Sequence, residues 1–426
     1  MRTLRKFLTI TTLCCATLTG TAQADVYRKE AQGDELETYV KNEMPSLFGI
    51  NRAYSQRMFD RQEFVTDKPL QQLIARQTGE LEDKKLYVGG RFIGSVMHER
   101  SNTTGKYPIL SRLPPQHRQR KSDTVDVIND ASVNATVTLP YVTAFIQGEY
   151  TDVEYPGQEQ KQWRKYWVTV GDLNKFPVYA TVGKNTVAFG DMVSYAPFTH
   201  SHNTHYFWAQ TDQPSLEVGY YQNGTHVAAT LIENDRGLRV VNAPDGDAYE
   251  NFAVNVSQVV DLTDDLKAKI GGGFLRGTIY DSTLAHHPPT AGLQDKDWSP
   301  AWNVNGTLSY KNVDLQAEYT QTVDEWPSTN AKVHALTVQG RYKDSILGRP
   351  TNYSVMLSEG VQGEDGDEWQ RMAQGVLGIE TNLTPNISIG VEYVANVGFV
   401  PLILPRVTAD DGVVSHTFIV GTKVTF

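Results

Sequence analysis

Three histidines and several aromatic side chains cluster between residues 184 and 213. The candidate binding residues in this stretch are Asp191, Tyr195, His200, His202, His205 and Trp208. Imidazole nitrogens bind zinc, copper or iron, so a metal site is one interpretation of the His-x-His-x-x-His spacing. No carboxylate stands at a clear ligand spacing, however, so no metal is assigned. The favoured chemistry is apolar and hydrogen-bonding contact with a small solute, by imidazoles whose charge changes near about pH 6.5.

Charged side chains recur at alternate positions of other segments, most clearly at Asp314, Gln316 and Glu318. Alternate residues of a β-strand share one face, so these side chains would point the same way. The other candidates of this kind are Glu149, Lys267, Lys269, Arg341, Glu392 and Lys423. Opposed acids and bases across a polar interior could select solutes, although a water-filled interior also tolerates such charges without a role.

Catalysis is a minor alternative. Ser415 and His416 are adjacent, but neighbours on a strand point to opposite faces, and His226 and His334 stand alone in the sequence. The acidic run Glu364–Glu368 lacks the spacing of a calcium loop. No catalytic residue and no cofactor are therefore assigned. An adhesin, the other minor alternative, would not need polar strand faces.

The elements that position these residues belong to an exported chain. Residues 1–24 have a basic start, a short apolar stretch and the small-x-small site Ala22-Gln23-Ala24, which together predict a cleaved signal peptide. Both cysteines, Cys14 and Cys15, lie inside it, so the mature chain would contain neither thiol nor disulfide.

The composition leaves two structural classes open. The chain has a net charge of −10, which gives no reason to expect a nucleic-acid partner, and it combines 21 Tyr with 34 Gly. No apolar stretch of about 18 residues follows the signal, so helical membrane spans are excluded. A soluble all-β protein and a water-filled transmembrane barrel both fit this composition, and the pattern along the chain must decide.

Residues 25–83 differ from the rest, because they are polar and lack strand-like alternation. Asp67-Lys68-Pro69 predicts a helix start with a capping side chain, Leu70, Leu73 and Ile74 follow helical spacing, and Gly79 ends the helix. We predict a small, partly helical periplasmic extension, for which a short coiled coil is one option.

From residue 84 to residue 426 the hydrophobic period becomes two. Trp302–Tyr310 and Val313–Thr320 show half-apolar strands of about 10 residues, the length that a tilted strand needs to cross a membrane. Aromatic residues near strand ends suggest two interfacial girdles. These residues are Tyr150, Trp163, Tyr166, Trp167, Tyr179, Tyr220, Trp302, Tyr310, Tyr319, Tyr342 and Tyr393.

Long and short connections alternate along this part of the chain. The predicted long ones are 99–123, 152–161, 184–213, 232–249, 280–299, 324–330, 360–370 and 397–412. The predicted short ones are Leu139-Pro140, Leu173–Phe176, Asn223-Gly224, Thr263–Asp265, Lys311-Asn312, Asp344–Arg349 and Leu383–Pro385. Short periplasmic turns and long outer loops are typical of bacterial outer-membrane barrels. Eight long and seven short connections give about 16 strands, or 18 if residues 184–213 hide another hairpin.

The last residues complete this interpretation. Phe418, Val420, Val424 and the terminal Phe426 share one face, as in the C-terminal strand that the barrel assembly machinery recognises. The sequence thus predicts an all-β fold, a transmembrane antiparallel up-and-down β-barrel in the cell outer membrane. Expected partners are outer-membrane lipid, lipopolysaccharide and a small-molecule solute, with a homotrimer as one possible assembly. Residues 184–213 are predicted to fold into the lumen and set its selectivity.

The layout resembles the LbtU family of siderophore porins. The resemblance covers most of the mature chain and is carried by Thr181–Lys184, Phe189-Gly190, the His/Thr/aromatic loop and Leu216–Gly224. It implies passage of a ferric siderophore or a similar small solute, with a general or otherwise selective diffusion porin as the alternative. About 60 residues precede the first strand, which is too few for the plug domain of a 22-stranded siderophore receptor.

Overall fold

The computed structural model describes residues 47–106, 120–153, 160–200, 202–209, 214–232, 251–280, 299–327, 329–367, 369–399 and 410–426. Its helices are α1 (Arg52–Phe59), α2 (Lys68–Gln77) and a 3-10 helix (Asn203–Phe207). Its strands are β1 (Phe48–Gly49), β2 (Lys85–Ser101), β3 (Ser122–Leu139), β4 (Val142–Tyr150), β5 (Lys161–Val170), β6 (Val178–Lys184), β7 (Ser215–Gln222), β8 (Thr225–Ile232), β9 (Asn251–Asp261), β10 (Leu266–Leu275), β11 (Ala301–Tyr310), β12 (Val313–Thr322), β13 (His334–Ile346), β14 (Arg349–Val361), β15 (Met372–Thr384), β16 (Ile387–Phe399) and β17 (Asp410–Thr425). Within these ranges, neither α-helix is long and apolar enough to span a membrane.

Strands β2 to β17 form a closed barrel. Each pairs antiparallel with its neighbours along the chain, and β17 pairs with β2 to join the two ends. Closure leaves no unpaired edge, which is the condition for strands that cross hydrocarbon. The predicted count of 16 strands is confirmed. Between β6 and β7 the described residues form only the 3-10 helix, so the 18-strand option is wrong.

The wall carries apolar side chains on its outer surface and polar side chains on its inner surface, the reverse of a soluble protein. Val133, Ile270 and Leu357 point outward and are 61%, 64% and 65% exposed. Thr136 and Gln339, on the opposite face of their strands, are almost completely buried. An apolar outer belt around a polar interior is what lipid outside and water or polar groups inside require. The alternation predicted from sequence is therefore confirmed.

Two predicted girdle aromatics face the lumen instead. Trp163 is exposed on the outer surface, whereas Trp167, at the same strand parity, is 2% exposed inside. A register shift between β4 and β5 near Arg164 explains the difference, because a bulge residue switches the side of every residue beyond it. Tyr179 is also buried, in a cluster with Leu70 and Leu73.

The C-terminal residue packs against the first barrel strand. The backbone of Phe426 exchanges two 2.9 Å hydrogen bonds with Gly90 in β2. The Phe426 ring covers the same glycine so closely that an added Cβ would lie 2.2 Å from ring carbon Cζ. Glycine at position 90 thus makes room for the terminal aromatic ring.

The N-terminal segment, defined as residues 47–83, lies inside the barrel. Tyr54 Oη forms a hydrogen bond with Thr136 at 2.9 Å, and Gln72 accepts from Trp167 Nε1 at 2.9 Å. Thr136 and Trp167 are lumen-facing residues of the wall. Residues 25–83 were predicted as a periplasmic extension outside the barrel. For the described residues 47–83 that position is wrong, because α1 and α2 bury Tyr54, Met58, Leu70 and Leu73 against inward side chains. Residues 1–46, including the predicted signal peptide, lie outside the described residues.

Local sequence explains the two helices. Helix α1 was not predicted, and Asn51 begins it by accepting from Tyr54 N at 3.0 Å. Helix α2 begins at Lys68 with an early proline, as predicted, but Asp67 makes no side-chain cap. The Lys68 ammonium instead donates to the carbonyls of Arg57, in the last turn of α1, and Glu63. Burial lowers the pKa of Lys68 to about 8.

Candidate functional site

The described residues 185–200, 202–209 and 214, here called loop L3, enter the lumen and are held there by wall side chains. Glu318 accepts hydrogen bonds from the amides of Asp191 (2.8 Å) and Met192 (2.9 Å). Glu392 accepts from the amides of Phe198 (2.7 Å) and Thr199 (3.0 Å). These two glutamates, predicted as solute-selecting charges, are at most 1% exposed, so each binds loop backbone rather than facing open water.

Polar residues of β13 and β14 support the same loop between these two anchors. Gln339 accepts from Tyr195 N at 2.8 Å and donates to the Val193 carbonyl at 2.7 Å. Ser358 accepts from Asn203 N at 2.9 Å. The loop therefore follows a ladder of inward side chains from β12 to β16, which pairs the amides of Tyr195 and Asn203 as a low-dielectric environment requires.

The three histidines lie close together, but burial changes their chemistry. His202 Nε2 donates to the Val193 carbonyl at 2.9 Å, and its Nδ1 accepts from Thr337 Oγ1 at 2.9 Å. The His205 ring lies 4.3 Å from that of His202 and 6.2 Å from that of His200, between centroids. Burial lowers the pKa of His202 to about 4 and that of His205 well below its usual range. The expected charge change near pH 6.5 is therefore wrong for these two side chains.

A charged network links L3, the wall and the N-terminal segment. The Arg341 guanidinium binds Asp314 at 2.7 Å and Glu63 at 2.9 Å. It also stacks over the Tyr195 ring, with 4.4 Å to the centroid. Asp191 pairs with Lys269 at 2.5 Å. The predicted site residues Asp191, Tyr195, Asp314 and Arg341 are thus paired in one part of the lumen.

Glu149 belongs to a second charged group on the opposite wall. Arg61 of the N-terminal segment forms an ion pair with Glu149, and its Nε lies 3.8 Å from Asp130. Arg164 reaches Glu149 from β5 at 3.8 Å. The Arg164 guanidinium also lies over the Trp208 ring at 5.6 Å, which connects L3 to this group.

The N-terminal segment and L3 contact each other directly. The Gln62 carbonyl accepts from Ser194 N at 2.8 Å, and its side-chain amide donates to the carbonyls of Ala196 and Pro197. Thr66 Oγ1 donates to the Gly190 carbonyl at 2.9 Å. Loop and segment therefore form one continuous structure in the lumen.

Aromatic packing closes part of the lumen toward the long loops. The Phe207 ring lies 5.1 Å from that of Tyr280, which in turn lies 5.5 Å from Trp326. Val65 of the N-terminal segment belongs to the same buried cluster, as does Met192 of L3. This cluster gives L3 an apolar side in addition to its polar anchors on the wall.

Sequence reasoning found the loop but missed its partners on the N-terminal segment. Arg61, Gln62 and Glu63 carry no motif, and only proximity in the fold reveals them. His226, predicted to be isolated, is bonded to Tyr179 Oη at 2.9 Å. Within the described ranges, no group of three or more His, Cys, Asp or Glu side chains could hold a metal ion.

Comparison with solved structures finds a similar fold in outer-membrane proteins. OmpT of Vibrio cholerae matches with a TM-score of 0.51 and 14% identity, over 80% of this chain and 97% of that one. The channel DcaP of Acinetobacter baumannii matches with 0.51 and 11%, over 80% and 97%. An anion-selective porin from Comamonas acidovorans matches with 0.53 and 11%, over 80% and 99%.

No protein-family model and no curated protein sequence matches the chain. The likeness to the three structures therefore concerns the fold. Taken with the inside-out wall and the closed sheet, it leads to one conclusion: the chain is a 16-stranded antiparallel β-barrel of the bacterial outer membrane, of the architecture shared by porins.

Proposed function

We propose that the protein is a channel for selective uptake of a small solute, with a ferric siderophore as the candidate implied by the resemblance to LbtU-type porins. The observation that carries the proposal is the occupied lumen. L3 is bound to the wall through Glu318 and Glu392, and the N-terminal segment is bound to L3 through Gln62. A solute must pass these groups or displace them, so contacts with them decide which solutes cross.

The alternative is a general or otherwise substrate-selective diffusion porin. A general porin needs a continuous water-filled path, and the buried positions of His202, Tyr206 and Phe207 favour a narrower one. We infer that the protein is not an enzyme, because Ser415 is buried while His416 is exposed on the opposite face, bonded to Tyr393.

A homotrimer is proposed as the assembly, and light scattering in detergent tests it.

Replacement of residues 192–207 by a short Gly/Ser link tests the proposal. We expect higher single-channel conductance and loss of discrimination between solutes, while heat-modifiable migration shows that the barrel remains intact. The control replaces residues 363–367, in another long connection, by the same Gly/Ser link. Conductance and discrimination between solutes should then stay unchanged. Unchanged conductance after the L3 replacement would contradict a selective role for the loop.

Growth on a ferric siderophore as the sole iron source tests the solute. Loss of growth in a deletion strain, with rescue by the intact gene, supports the siderophore assignment. If growth is normal without the protein while small sugars and amino acids still cross it, the diffusion-porin alternative replaces that assignment.

A further inference from the structure

A small cavity remains at the junction of the wall, the N-terminal segment and L3. Its lining residues are Arg61, Gln62, Arg91, Ile93, Asn129, Asp130, Pro197, Phe198 and His200. The wall, the N-terminal segment and L3 therefore all line one cavity. Any solute that enters it touches both elements that fill the barrel.

The cavity is rich in hydrogen-bond donors. Asn129 is 2% exposed, its Oδ1 accepts from Ser95 at 2.6 Å, and its Nδ2 has no partner among the described residues. Arg91 uses Nε and Nη2 for Asp130, and its Nη1 makes no hydrogen bond within the described part of the chain. A buried donor without a partner is unfavourable, so a ligand that accepts a hydrogen bond from Asn129 Nδ2 removes that penalty.

The acidic group of the cavity is already satisfied. Asp130 Oδ2 binds Arg91, and its Oδ1 accepts from Ser132. A register shift between β2 and β3 near Asn129 turns Asn129 and Asp130 into the lumen together, although they are neighbours in sequence. Bulges of this kind commonly redirect a side chain next to a functional site.

We propose that this cavity binds the oxyanion group of a small solute, a carboxylate or a phosphate. Asn129 Nδ2 and Arg91 Nη1 donate to its oxygens, and the Arg61 guanidinium adds positive charge. The cavity is too small for a whole metal chelate, so it binds a terminal group while the rest of the solute lies in the lumen. The proposal rests on the proposed function as a channel and names the chemical class of its solute.

The test compares the intact protein with Asn129→Asp and a matched control, Asn134→Asp. Asn134 lies on the same strand, is 5% exposed and also has an unpartnered Nδ2 in the described structure, but it does not line the cavity. Calorimetry of the refolded, detergent-solubilised protein measures binding of sodium acetate, sodium citrate, inorganic phosphate and glucose. Block of single-channel current by the same compounds is measured in planar bilayers.

We expect the intact protein to bind oxyanions but not glucose. Asn129→Asp should weaken binding by about tenfold or more, because it replaces a donor by a charge of the ligand's own sign. Asn134→Asp should stay within about twofold, since it has the same charge change outside the cavity. The oxyanion that binds more tightly, carboxylate or phosphate, identifies the group that the solute carries.

The proposal would be overturned if the intact protein and Asn129→Asp bound the oxyanions equally well. It would also be overturned if the intact protein bound none of acetate, citrate and phosphate. If Asn129→Asp fails to become heat-modifiable, Asn129→Leu replaces it, because it removes the donor without burying a charge. Calorimetric binding without channel current would leave the site standing and refute the proposed function instead.

Discussion

Glu392 is the clearest point at which to loosen L3 without disturbing the barrel. Glu392→Gln removes the charge and replaces one of two oxygens that together accept from Phe198 N at 2.7 Å, Thr199 N at 3.0 Å and the Thr199 hydroxyl. A hydrogen bond to a charged group is worth about 1.5–3 kcal/mol, so the loss of charge weakens each of these bonds, with partial compensation by the remaining oxygen. We expect anchoring of this part of L3 to weaken by about 3 kcal/mol, a roughly hundredfold increase in the open loop population.

Hydrogen exchange followed by mass spectrometry measures that population. Peptides that contain residues 194–200 should exchange about a hundred times faster in Glu392→Gln, while peptides from β16 itself should not change. The control is Glu359→Gln on β14, whose side chain is 41% exposed and paired with Arg371. If residues 194–200 exchange at the same rate in all three proteins, Glu392 does not hold the loop, and the assignment of L3 anchors is wrong.

Three further predictions concern assembly, acid stability and the N-terminal segment. Phe426→Asp should lower the yield of assembled barrel severalfold on heat-modifiability gels, because a carboxylate would replace the ring over Gly90, and normal yield would refute this. Burial lowers the pKa of His202 in the folded protein to about 4, below its usual 6.5. The stabilisation that depends on neutral His202 should therefore be full above pH 6.5 and be lost as the pH falls from 6.5 to 4, because the unfolded state binds the proton first. His202→Gln should reduce that fall when unfolding midpoints at pH 7.5 and 5 are compared, and an unchanged fall would contradict the assignment. Leu73→Asp should raise conductance by undocking α2, whereas the exposed Thr78→Asp should not, and equal conductance would count against a lumen-blocking segment.

The wall of the barrel could be predicted because its constraints are local. Alternation places Asp314 and Glu318 on one face and Leu315 on the other, whatever the neighbouring strands contain. Asn223-Gly224 takes positive φ angles of 53° and 78°, the two-residue hairpin that its sequence predicts. The alternation of long and short connections then predicted the number of strands.

The contents of the lumen could not be predicted in the same way. The spacing of Leu70 and Leu73 indicates that one face of α2 is buried, but not that Tyr179 covers it. Likewise, Glu318 and Glu392 share a face with other polar residues, and only the path of L3 makes them loop anchors. The shift near Arg164, which turns Trp167 inward, depends on pairing between strands rather than on β5 alone.

The two-residue strand β1 determines how the N-terminal segment can enter and leave the barrel. It pairs parallel with the start of β2, Phe48 opposite Leu86 and Gly49 opposite Tyr87. Both ends of residues 47–83 therefore lie at the same rim, beside the short turns, and the chain between them enters the lumen and returns. Withdrawal of the described segment would break its own bonds to Thr136 and Trp167, but it would leave the backbone pairing of β2 to β17 intact. The hydrogen bonds that close the barrel are therefore distinct from those that hold the segment in the lumen.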